Sequence, residues 1–183
     1  MKIAFLVWGS LIWNHRKLKT KGDWHKDGPL LPVEFARISR DGRLTLVLSS
    51  DTKKLQVLWI YSGFDNLNDA IQDLKNREGT IESWIGYLSM RENKENCNIV
   101  SIILEDIRSW VIERNIDAVI WTDLPSNFEE RISEKLNANN VIKYLANLPD
   151  SKKQIAREYI EKAPLQIMTL IRKDIEKTLG WKR

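Results

Sequence analysis

The sequence predicts an α+β domain, with a sheet-rich first third and a last quarter that is mostly helical. Three observations predict it. Two continuous apolar runs, Ile3 to Trp8 and Leu55 to Tyr61, have the length of buried strands rather than helices. Between them, Arg40-Asp41-Gly42 joins two apolar segments through an Asp-Gly pair, a strong hairpin signal. After them the spacing changes to that of amphipathic helices, and the final third carries two Ser-x-x-Glu/Gln helix-start patterns.

Element by element, Ile3 to Trp8 is a first strand, and Gly9 lets the backbone turn at its end. Residues 14 to 29 are polar, basic and irregular and close on Asp27-Gly28-Pro29, so a loop is expected. Leu30 to Ser39 and Arg43 to Ser49 form the hairpin, and Leu55 to Tyr61 is a central strand. From Asp65 to Arg77, Leu67, Ala70, Ile71 and Leu74 make one apolar stripe, and Gly79 is placed to end the helix. Asn98 to Leu104 is expected as a strand, Ile107 to Arg114 as a helix and Ala118 to Trp121 as a short buried strand. Ser126 with Glu129, and Ser151 with Gln154, open helices; Pro164 breaks the run, and a last helix ends at Gly180.

Composition narrows the function. The chain has 183 residues, 43% hydrophobic and 30% charged, enough for one medium globular domain with a real core. Eight tryptophans favour a large packed core or an aromatic-lined pocket. The formal charge of +4 is mild for a dedicated nucleic-acid binder. The single Cys97, a small strand hydrophobe on this reading, forms no internal disulfide and suggests a reducing compartment. The apolar start lacks a small-residue cleavage pattern and no later run matches a membrane span, so a soluble, cytoplasmic protein is expected.

Several chemistries lack their residues. There is no phosphate-loop lysine, dinucleotide fingerprint or G-x-S-x-G elbow, and two histidines with one cysteine make a metal site improbable. Ser10 with His25 as base has no third member to organise it. The turn Gly9-Ser10-Leu11 is a better candidate, since successive backbone N–H groups at a strand end can converge on an anion; its plain alternative is an ordinary strand-to-loop turn. Glu78 is another. A carboxylate at a helix C-terminus is disfavoured by about 0.3–1 kcal/mol, and the same field suits a group whose task is to take up a proton. A solvated helix-end glutamate is the alternative there.

These residues carry a resemblance. Val7 to Asn14, VWGSLIWN, is similar to the Tyr-Gly-Ser-Leu loop of the γ-glutamylcyclotransferase-like superfamily, especially the branch acting on glutathione. Phe35-Ala36-Arg37-Ile38-Ser39 and Gly42-Arg43-Leu44-Thr45-Leu46 resemble its next two strands, and Val57 to Tyr61 its central strand. Leu74 to Gly79, LKNREG, resembles the helix end that carries the family's catalytic glutamate. The match runs in order over residues 3 to 87. Two departures accompany it: Trp8 stands where the family has tyrosine, and nothing from about Ile107 onward has a counterpart, including Trp121 and Asp123, for which a pocket lining is one reading and a buried strand end the default.

The resemblance implies a small mixed β-barrel over residues 1–105 with a mostly helical extension over 106–183, all one domain. It implies an enzyme without cofactor or metal that cyclises a γ-glutamyl group to 5-oxoproline. Glu78 is its general base, Trp8, Gly9, Ser10 and Leu11 line the substrate loop, and Tyr87 is the nearby tyrosine that contacts substrate. The partner is then a small γ-glutamyl compound, not a membrane or a nucleic acid. Two other classes stay open on the residues alone. One is a binding module that keeps the fold without the chemistry. The other is a nucleic-acid binder using Arg16, Lys17, Lys19, Lys21 and Lys26 around Trp24 as a stacking platform.

Overall fold

A computed structural model describes residues 1–98 and 101–183. The fold is α+β, built of nine strands in two sheets and six α-helices among these residues. The chain divides into two compact units, each assembled from separated stretches.

The first unit holds Met1–Val7, Leu11–Leu31 and Gln56–Leu124. Its strands are β1 (Ile3–Val7), β2 (Thr20–His25), β6 (Leu58–Ser62), β7 (Ile85–Ser89), β8 (Lys94–Asn96) and β9 (Ala118–Thr122), ordered β2-β6-β1-β9-β7-β8 in one sheet. The apolar run at the start becomes β1 because every residue of it is buried, between antiparallel β6 and parallel β9. Helix α1 (Leu67–Glu78) lays Leu67, Ala70, Ile71 and Leu74 into the same core as Phe5, Val7, Leu11 and Ile60. Asn66 caps its start by accepting the Asp69 N–H, and Gly79, at φ 64, closes its end with an N–H to the Lys75 carbonyl. Helix α2 (Ser101–Glu113) also belongs to this unit.

The tryptophan surplus is mostly packing. Trp59 and Trp110 meet edge-to-face at 5.3 Å, and Asp27 accepts both indole N–H groups, one on its carboxylate and one on its carbonyl. Trp121 is fully buried opposite Gly86 on β7, where a Cβ would stand 2.2 Å from the indole. Its N–H donates to Asp123, whose other oxygen accepts from Asn98, so this strand end is a buried tie, as its default reading expects.

The second unit holds Trp8–Ser10, Pro32–Leu55 and Pro125–Arg183. Strands β3 (Leu30–Ile38), β4 (Leu44–Leu48) and β5 (Lys54–Gln56) form a sheet ordered β4-β3-β5. The expected hairpin is there, with Ile38 opposite Leu44 and Gly42 at φ 86. Helices α3 (Phe128–Ile132), α4 (Ala138–Ala146), α5 (Asp150–Lys162) and α6 (Leu170–Leu179) complete it, the last ending at Gly180 in the left-handed conformation. The Tyr144 hydroxyl donates to the Gly42 carbonyl, and Asn127 bonds both backbone groups of Ile38.

Several expectations are corrected. The strands do not close into a barrel: β2 and β8 end the larger sheet, and β3, β4 and β5 make a sheet of their own. Leu55 to Tyr61 is two strands in different sheets. Val57 leaves both ladders to exchange backbone bonds with Gly28 and Pro29, at 3.0 and 3.1 Å. The loop expected over 14–29 contains β2. The strand expected over Asn98 to Leu104 falls partly on Ile99 and Val100, outside the described residues; from Ser101 onward the chain is α2, because Ile103, Ile107, Trp110 and Val111 bury one helical stripe. Neither Ser126 nor Ser151 caps a helix. Ser126 donates to the Ala36 carbonyl instead, and Ser151 lies inside α5. No helix among the described residues is long and apolar enough to cross a membrane.

Candidate functional site

The candidate loop begins where β1 stops. Trp8 is buried, Ser10–Ile12 form a single 3-10 turn, and Leu11 is buried in the core of the first unit. Gly9 is needed for a reason the sequence did not disclose. It does not adopt a positive φ; rather, a Cβ at this position would stand 2.6 Å from the Tyr159 hydroxyl. Tyr159 comes from α5, is 6% exposed, and lies edge-on to Phe35 at 6.3 Å. On its ring sits the Arg43 guanidinium, 5.5 Å from the centroid. Gly9, Phe35, Arg43 and Tyr159 all belong to the second unit.

Glu78 lies in the first unit, on the last residue of α1. Its side chain is 18% exposed, and the buried Arg77 beside it donates to Oε1 at 2.5 Å. The same guanidinium donates to the Asn14 carbonyl at 2.5 Å, and Arg16 reaches back to the Arg77 carbonyl at 3.0 Å. Bonds to charged groups are the stronger ones, about 1.5–3 kcal/mol each, so they fix a helix end well. Leu11 and Leu74 share one core cluster, so the chain from Leu11 to Arg16 and the end of α1 are held together at both layers. Tyr87 is half-buried on β7, opposite Ile120 and Asn96, and packs on that same core.

The other candidates are accounted for by packing. The Trp24 N–H donates to His15 Nε2 at 3.2 Å and the two rings stack at 5.3 Å, so the indole is not an open platform for a base. Lys19 lies over the Phe64 ring and Arg16 is engaged with Arg77, which removes two cations from the basic loop. His25 stacks on Trp59 at 4.0 Å, with Tyr61 edge-on.

Two buried charges escaped sequence reasoning. Glu34 sits inside β3 at 4% exposure, its carboxylate accepting the Phe35 N–H at 2.8 Å and, more weakly, Thr52 and the Ile171 N–H. Burial pushes its carboxyl above the usual range, and these bonds offset only part of that. Arg172 is fully buried in α6, spending Nε on Glu176 and Nη1 on the Pro164 and Ile167 carbonyls. Both tie the second unit together. A charge inside an otherwise apolar strand, as in Val33-Glu34-Phe35, is the only signal that would have found the first.

No family model, no curated protein and no solved structure matches this chain.

Proposed function

We propose that the protein is a γ-glutamylcyclotransferase-like enzyme, with Glu78 as general base. One observation carries the reading. The buried Arg77 guanidinium holds the Glu78 carboxylate and the Asn14 carbonyl at the same 2.5 Å, so the helix end is pinned to the segment that follows the Gly-Ser-Leu turn. The reading rests on this loop and helix end, together with the ordered resemblance over residues 3 to 87, and does not depend on a closed barrel.

The chemistry asks little beyond alignment and one base. A γ-glutamyl α-amine is mostly protonated at neutral pH, and only the neutral amine attacks. Glu78 takes the proton, the nitrogen bonds to the γ-carbonyl carbon, and backbone N–H groups at Ser10 and Leu11 stabilise the oxyanion. Collapse breaks the bond to the departing amine, which takes its proton from Glu78 while the ring nitrogen gives its second proton back to that carboxylate, giving 5-oxoproline and a free amine or amino acid. Holding amine and carbonyl in contact supplies much of the rate, as in other intramolecular closures.

Incubation with a panel of γ-glutamyl compounds, with 5-oxoproline as the readout, tests the proposal. Release of 5-oxoproline from at least one of them is expected. Binding without release on every compound assigns the protein to the binding modules instead.

A further inference from the structure

Helix α2 ends in a turn that takes no part in the cyclisation. Asn115, at φ 52, carries the chain out of the helix. Its N–H donates to the Ile112 carbonyl and the Ile116 N–H to the Val111 carbonyl, both at 3.1 Å. This pair of bonds is a left-handed helix stop, which folds the chain back onto the last turn, and Ile116 and Val111 are both buried. Asp117 then ties the turn to its neighbours. Its carbonyl accepts the Met90 N–H at 2.9 Å, its N–H donates to the Lys2 carbonyl at 2.9 Å, and its Oδ2 accepts the Lys2 N–H at 2.6 Å. All of these residues belong to the first unit. The residue after β7, the residue before β1 and the end of α2 are thereby fixed around one groove of about 470 Å³. Small-molecule sites occupy roughly 300–1,000 Å³.

The groove has aliphatic walls and two charges. Met90 and Ile112, 37% and 63% exposed, line it together with Ile116. Large apolar side chains left open beside one another mark a surface that takes a ligand. Met90 is steadied by Arg108, whose Nη1 donates to its sulfur at 3.5 Å. Arg91, beyond β7, and Asp117, beyond α2, bring a cation and an anion to the same groove, and they do not satisfy one another. Among the described residues the Arg91 guanidinium has no hydrogen bond or ion pair, and Asp117 Oδ1 accepts nothing while Oδ2 is spent on Lys2. Asn115 adds a side-chain amide, also unengaged, and the C-terminal end of α2 favours positive charge beside it.

A ligand that answers both charges carries a carboxylate and an ammonium, and one that covers the walls carries an apolar chain. We infer that the groove binds a free α-amino acid with an aliphatic side chain. Its carboxylate pairs with Arg91, its ammonium donates to Asp117 Oδ1 and to the Asn115 amide oxygen, and its side chain lies against Met90, Ile112 and Ile116. The site goes beyond the cyclotransferase reading and does not rest on it.

Calorimetric titration of the full chain with L-leucine, isocaproate and isoamylamine tests it. Isocaproate is leucine without its ammonium, and isoamylamine is leucine without its carboxylate. Leucine is expected to bind the wild-type protein more tightly than either. Arg91→Gln should weaken leucine about 3- to 5-fold, the range of an exposed ion pair, and leave isoamylamine unchanged. Asp117→Asn keeps an acceptor for the Lys2 N–H; it should weaken leucine and isoamylamine about 10-fold and leave isocaproate unchanged. If Asp117→Asn fails to fold, Arg91→Gln and Ile112→Asp, both at exposed positions, carry the test, and Ile112→Asp should weaken leucine as well. No leucine binding by the wild type at millimolar concentration, a leucine affinity that none of the substitutions changes, or isocaproate binding as tight as that of leucine overturns the site.

Discussion

Replacing Gly9 by alanine probes the contact between the loop and α5. The new Cβ would stand 2.6 Å from the Tyr159 hydroxyl, against the 3.4 Å at which ordinary van der Waals contact begins. The tyrosine cannot retreat cheaply, because its ring is 6% exposed and bears on Phe35 and Arg43. Overpacking of this kind costs about 1–3 kcal/mol. The smaller unfolded-state entropy of alanine returns about 0.4–1 kcal/mol. A net loss of about 1–2 kcal/mol follows, and at about 2–4 °C per kcal/mol for a chain of this size Tm falls by several degrees. In a Tyr159→Phe background the hydroxyl is gone, and the nearest atom becomes ring Cζ at 3.8 Å, an ordinary contact. There Gly9→Ala should stabilise by about 0.4–1 kcal/mol, the entropy term alone. The assay is a double-mutant cycle by urea denaturation; the entropy term cancels in it, so the expected coupling is the overpacking cost, about 1–3 kcal/mol. If Gly9→Ala costs the same in both backgrounds, to within about 0.5 kcal/mol, the hydroxyl is not what requires glycine and the argument fails.

Two further substitutions read the packing. Burial raises the folded-state value of Glu34, so its ionised form destabilises the fold; that cost is absent below the unfolded value, grows as pH rises from it, and is complete above the folded value. The stability of Glu34→Gln relative to wild type should therefore increase between about pH 4 and neutrality, and urea melts giving a constant difference would refute this. Gly86→Ala drives a Cβ to 2.2 Å from the buried Trp121 ring and should cost about 1–3 kcal/mol by the same melts, with a neutral result contradicting the packing.

The sequence disclosed what local physics decides. The all-buried β1, the Asp-Gly hairpin, the apolar stripe of α1 and its glycine stop depend on neighbours a few residues away, and they stand where expected. What it hid depends on distant partners. The run LQVLWIY, apolar but for Gln56, does not disclose the sheet change at Val57, which is made by bonds to Gly28 and Pro29. The capping patterns at Ser126 and Ser151 lost to Asn127, which bonds Ile38 across the fold, and to a helix that starts at Asp150. The apolar Ile102, Ile103 and Leu104 at α2's start mimic a strand until the stripe from Ile103 to Val111 is counted. For the site, the loop and Glu78 were legible as motifs. Tyr159 was not, since nothing in Arg-Glu-Tyr-Ile-Glu distinguishes it from a packed helical aromatic.

The central claim is that Glu78 is the base of a γ-glutamyl cyclisation, and one comparison tests it most directly. Glu78→Gln keeps the shape of the side chain and can still accept from Arg77, so folding and ligand affinity should stay near wild type. On the γ-glutamyl compound that the wild-type protein turns over fastest, 5-oxoproline formation should fall about 10²- to 10⁴-fold, the range for a lost general base. A Glu78→Gln protein that forms 5-oxoproline at the wild-type rate contradicts the account.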